Sequence, residues 1–143
     1  MKRFKFGLQS VLGLKEKTQE NEKMLLYDLK AQMSRLVDEL HTLEGNYKRY
    51  AGERNELSAR GISVAGLEQY CNYLKELEVL QKQKLREIEK LQERIEKQIE
   101  LLTQISIEVK SLEKLREAQY REYSKLADKE TERMIDDFIA ARA

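Results

Sequence analysis

The chain has 143 residues, no proline and no tryptophan, and its 27 basic and 26 acidic side chains leave a net charge of +1. A chain of average composition this long carries about 7 prolines. Their absence leaves nothing to interrupt a long helix, because proline removes a backbone donor and clashes inside one. The near-neutral balance lacks the clustered basic excess of a nucleic-acid binder, and three phenylalanines are too few to fill a thick globular core.

Charged residues make up 37% of the chain. Ala, Glu, Lys, Leu and Arg together exceed half of it, the composition of coiled coils and long helices. The single cysteine, Cys71, has no partner for an intramolecular disulfide, which fits a reducing compartment. The basic start, Met1-Lys2-Arg3-Phe4-Lys5-Phe6, is not followed by an apolar run long enough for a signal peptide. No stretch approaches the ~20 apolar residues of a membrane span. The expectation is one all-α domain, soluble and cytoplasmic.

The first predicted helix covers about residues 5–58. Alternate steps of four and three from Leu8 pass through Leu12, Lys15, Gln19, Glu22, Leu26, Leu29, Met33, Leu36, Leu40, Leu43, Tyr47, Tyr50, Arg54 and Leu57. A sustained 3.5-residue period predicts a left-handed supercoil with a partner helix. Lys15, Gln19 and Glu22 are the conspicuous exceptions, since polar groups against aliphatic ones cost energy. Two readings stay open for them. The seam rotates locally onto Val11, Leu14, Thr18 and Leu25, or this section is splayed or covered by another protein.

The pattern breaks at Ser58-Ala59-Arg60-Gly61-Ile62-Ser63, giving a loop over about 59–63. Gly61 can take the left-handed conformation just past a helix end, with Arg60 favourable in the last turn. Ser63 can cap the next helix by accepting from its free amides.

The second predicted helix covers about residues 64–140. Its seam runs from Leu67 through Tyr70, Leu74, Leu77, Gln81, Lys84, Ile88, Leu91, Ile95, Gln98, Leu102, Ile105, Val109, Leu112, Arg116, Gln119, Tyr123 and Leu126, then fades. A short connection makes the helices antiparallel, so Leu57 lies near Leu67 and Leu8 near residue 116. The fold expected is a long antiparallel two-helix coiled-coil hairpin. Its second helix is the longer, with residues from about 117 onward beyond the start of the first.

Tyr47, Tyr50, Tyr70 and Tyr73 crowd the region of the loop, as do Gly45, Gly52, Gly61 and Gly66. Internal glycines soften a helix by about 1 kcal/mol each relative to alanine, and tyrosine suits both a wide seam and an interface. Tyr73 and Leu80 lie off the seam but share a stripe with Leu77. Nothing in the chain suggests an enzyme. His41, the only histidine, reads as solvated, Cys71 as inert, and the carboxylates as solvated helix faces. No Cys/His cluster offers a metal site and no Gly-rich loop would cradle phosphate, so neither a cofactor nor a small-molecule substrate is expected.

The opening Phe4-Lys-Phe6-Gly-Leu8-Gln-Ser-Val11-Leu12-Gly-Leu14-Lys15-Glu16-Lys17 resembles the start of FliJ proteins of the bacterial flagellar export apparatus. So do Leu67-Glu-Gln-Tyr70-Cys-Asn-Tyr73-Leu74-Lys-Glu-Leu77, Ser111-Leu112-Glu113-Lys114-Leu115 and the tail Asp128-Lys-Glu-Thr-Glu-Arg-Met-Ile-Asp136-Asp137-Phe138. Gly7 and Gly13 inside the first helix depart from the pattern.

The resemblance implies a non-enzymatic, stalk-like coiled coil that engages the hexameric export ATPase FliI, contacts the gate protein FlhA and escorts export chaperones. It would sit on the cytoplasmic face of the inner membrane, held there only through partners. On this analogy the gate-facing set is Tyr47, Tyr50, Tyr73, Leu77, Leu80 and Lys84. The ATPase-facing set is Phe4, Phe6, Leu8, Val11, Arg116, Tyr123 and Leu126. The stalk of a virulence type III secretion system and a purely structural or oligomerising coiled coil are the alternatives.

Overall fold

The computed structural model describes residues 2–142, which form two helices and, among the described residues, no strand. Helix α1 is Gln9–Arg60, of 52 residues, and α2 is Val64–Arg142, of 79. They pack antiparallel, as an all-α two-helix coiled coil with the second helix the longer. Packing divides the chain into two units. A turn unit comprises Met24–Ile99, and a terminal unit combines residues 2–23 with 100–142.

In the turn unit, α1 ends at Arg60 and Gly61 takes φ +95°, a conformation that costs a residue with a Cβ about 1–2 kcal/mol. Ser63 then caps α2: its Oγ accepts from the Gly66 amide at 3.1 Å, and its carbonyl accepts from Leu67 N at 3.0 Å. A Cβ at Gly66 would stand 3.1 Å from the Ile62 side chain, so glycine lets the loop fold onto the first turn of the helix. Beyond the turn the helices pair in constant register. Tyr70 faces Glu53, Tyr47 faces Glu78, Gln81 reaches the Leu43 carbonyl and Lys84 faces Glu39. The core is Leu29, Leu91 and Ile95, with Leu26, Met33 and Leu36 packed against them.

The terminal unit has its own core of Phe6, Leu12, Ile105 and Val109, flanked by Phe4 and Leu112. Leu12 is the most enclosed side chain, 1% exposed; removing it from water contributes about 2–3 kcal/mol. Helix α1 begins at Gln9, later than the expected start near residue 5. Residues 2–6 lie outside any helix, and a turn at Gly7 and Leu8 is closed by Gln9 N donating to the Phe6 carbonyl at 3.1 Å. The physical reason is aromatic burial. The non-helical segment drops the Phe6 ring into the Leu12 core and lays Phe4 on α2, whereas a helix would turn the two rings about 200° apart, to opposite sides.

The polar run of α1 corrects the rotated and the splayed readings. The seam does not rotate: Leu14 is 67% exposed, and Val11 and Leu25 are exposed as well. Nor is this section splayed, because Lys15 Nζ donates to Glu108 Oε2 at 2.6 Å and Gln19 Nε2 to Ser106 Oγ at 3.0 Å. The polar side chains stay on the seam and close it by hydrogen bonds across the pair. Among the described residues, no buried side-chain nitrogen or oxygen lacks a partner.

Candidate functional site

The turn unit presents a tyrosine layer. The Tyr50 ring stands 4.6 Å from Tyr73 in an edge-on arrangement and 6.4 Å from Tyr70, and the Arg49 guanidinium lies 5.2 Å over Tyr50. Two hydroxyls in this layer are anchored by carboxylates. Tyr47 donates to Glu78 at 3.0 Å, and that bond, followed by the charge of Glu78, raises the phenol above its ordinary range. Burial first, and Glu53 second, raise Tyr70 in the same direction. These rings therefore stay neutral and hold the two helices at the spacing that tyrosine needs.

Beside the layer, Tyr73 and Leu80 are exposed, whereas Leu77 faces the seam and is 3% exposed. The stripe expected from Tyr73, Leu77 and Leu80 is thus split between surface and core. Lys84 is engaged within the fold: its ammonium donates to Glu39 at 2.6 Å and approaches Glu87 at 3.5 Å. The bond to Glu39 raises the Lys84 pKa, and the same bond lowers that of Glu39. Leu80 and Lys84 border a shallow groove of about 360 Å³ with Glu39, Thr42, Leu43, Gln83 and Glu87. Of the gate-facing set, the structure leaves Tyr73 and Leu80 open, holds Tyr47, Tyr50 and Lys84 half-buried, and closes off Leu77.

The terminal unit carries a second aromatic cluster. Phe4 meets Tyr120 edge-on at 5.3 Å and Tyr123 at 5.5 Å, and the Tyr123 hydroxyl donates to the Lys2 carbonyl at 2.6 Å. An open cleft of about 500 Å³ beside it is lined by Phe4, Leu12, Glu16, Glu113, Arg116, Glu117 and Tyr120. Of the ATPase-facing set, Leu8, Val11, Arg116 and Leu126 are exposed, Phe4 and Tyr123 are half-buried, and Phe6 belongs to the core. Tyr120 is the residue that sequence reasoning passed over. It lies off the heptad count, and the one signal for it was its spacing of three from Tyr123.

His41 is exposed, 3.6 Å from Glu44, and Cys71 is a free, half-buried thiol. Among the described residues, no group of three or more His, Cys, Asp or Glu side chains is placed to hold a metal. None of their helices is long and apolar enough to cross a membrane. What the surfaces offer is aromatic and aliphatic contact area on paired helices, in the class of all-α two-helix coiled coils.

That class acquires a family from comparison with known proteins. The chain belongs to the FliJ family: residues 4–143 match the model of the flagellar FliJ protein. No curated protein and no solved structure matches it. Family membership makes it a flagellar export-related protein.

Proposed function

We propose that the protein serves flagellar export as a stalk-like coiled coil without chemistry of its own. The terminal unit engages the hexameric export ATPase, and the tyrosine side of the turn unit contacts the export gate. Export chaperones are escorted on the same molecule. The family match across residues 4–143 carries this reading. The exposed side chains support the division of labour: Leu8, Val11, Arg116 and Leu126 in one unit, Tyr73 and Leu80 in the other.

The decisive measurement is the hydrolysis rate of the purified cognate ATPase with and without this protein. Stimulation together with co-purification is expected; neither effect appearing would end the proposal. Val11→Asp with Leu126→Asp, both at exposed positions, should remove the stimulation and leave gate binding. Tyr73→Ala with Leu80→Ala should do the reverse in a gate pull-down. Leu77 is unsuited to that test, since truncating a buried leucine would weaken the fold by about 2–5 kcal/mol.

A further inference from the structure

The last part of α2 is apolar where no other element covers it. Residues 128–142 are all exposed, including Met134, Ile135, Phe138 and Ile139, each between 52% and 67%. They are not a continuation of the seam. Counting on from Tyr123, the seam falls on Leu126, Glu130, Arg133 and Asp137 and becomes charged. Ala127, Thr131, Met134 and Phe138 keep the same alternation of four and three, one residue out of step. At about 100° per residue, that stripe points away from the α1 side of the helix, and Ile135 and Ile139 widen it.

The charges around the stripe are sorted. On the helical circumference, Glu130 and Asp137 border one edge, and Glu132 and Asp136 the other, with Asp128 beside Ile139. Lys129 and Arg133 fall on the back, and Lys125, before the segment begins, shares the edge of Glu132 and Asp136. The remaining base, Arg142, lies over the Phe138 ring at 4.7 Å. An apolar strip with acidic borders selects its occupant. A second copy would bring acid against acid along the edges, and an anionic lipid surface would set its headgroups against the same carboxylates.

We infer that residues 127–142 are a docking helix for a partner's amphipathic helix whose apolar stripe is bordered by lysine or arginine. Apolar contact supplies the affinity, and the charge borders supply selection and a faster encounter. This does not depend on the export reading, and either can fail alone.

The test uses the full-length protein and two synthetic amphipathic helices of about five turns. Their leucine stripes are the same; one has lysine borders and the other glutamate borders. By fluorescence anisotropy, the lysine-bordered peptide should bind about tenfold or more tightly than its counterpart, and more weakly as salt rises. Met134→Ser with Phe138→Ser should abolish that binding while circular dichroism stays helical. Asp136→Lys with Asp137→Lys should reverse the preference. Equal binding of the two peptides, or indifference to the serine pair, would overturn the inference. So would a concentration-dependent dimer lost in the serine pair, which would make a second copy the occupant. Preferential binding to phosphatidylglycerol vesicles over phosphatidylcholine vesicles would overturn it in favour of a membrane.

Discussion

The turn unit and the terminal unit are cut from the same two helices, but they close their seams differently. In the turn unit a three-residue connection ties α1 to α2, and an aliphatic core follows a tyrosine layer with carboxylate-anchored hydroxyls. In the terminal unit the pair has no covalent end. The chain leaves the helix, lays Phe4 on Tyr120 and Tyr123, and inserts Phe6 beside Leu12. Two helices alone bury little, so each unit adds aromatic area where the heptad is weakest. Heptad spacing sets which face pairs, while rings and polar bridges decide how firmly each stretch is held.

The two units differ most in what loss of the terminal core would do. Leu12→Ala should cost about 2–4 kcal/mol, read as accelerated hydrogen exchange at the amides around Ile105 and Val109. Amides around Leu91 should keep their protection; if both sets lose it equally, the two units are one cooperative block. Next is Gly61→Ala, which forces a Cβ into φ +95° and should cost about 1–2 kcal/mol. Here the loss should appear first around the turn, by the same measurement.

A smaller effect, of opposite sign, tests the polar bridges. Lys15→Leu with Gln19→Leu replaces the contacts to Glu108 and Ser106 by aliphatic packing. Bridges of this kind are often neutral or worse for stability than well-packed apolar residues. The melting temperature should hold or rise, and sedimentation should show more self-association, because a seam left polar only at Glu22 penalises wrong partners less. A lower melting temperature with an unchanged monomer would show that the bridges stabilise rather than specify.

The smallest expected effect is on pH. Glu39 and Glu108 are held below their ordinary 4.5 by hydrogen bonds from Lys84 and Lys15. A carboxylate with a lowered pKa in the folded state contributes stability that is present above its unfolded value and lost as pH falls through the folded one. Lys84, raised above 10.5, contributes below that value and loses its contribution as pH climbs past the raised one. Thermal melts should therefore soften below about pH 4, and Glu39→Gln should flatten part of that decline. Because these side chains are partly solvated, the slope should be shallow and should shrink further in high salt.

Most of the helical scheme was legible in the residues. The two seams, the break at Gly61, the cap at Ser63 and the greater length of the second helix all follow from periodicity and local turn chemistry. What escaped has a common cause. Period-counting registers which face a residue occupies and is silent about partners far away in the chain. Lys15 and Gln19 looked like defects because Glu108 and Ser106 lie outside the seam count of α2. Tyr120 was missed because its partner, Phe4, sits ahead of α1 in backbone to which no helical period applies. Leu77 was assigned to surface and seam at once, and only its burial separates the two.

The connection through Gly61-Ile62-Ser63 also sets an order of assembly. The Tyr70–Glu53 contact spans 17 residues of chain, whereas Tyr123–Lys2 spans 121. Closing the longer loop first would cost about 2 kcal/mol more in chain entropy, so pairing should begin at the turn and advance one heptad at a time. Phe4 and Phe6 are then the last groups to dock and, on the reverse path, the first to leave. The molecule behaves as a zipper whose slider travels away from Gly61, with its loosest teeth at the aromatic clasp of the terminal unit.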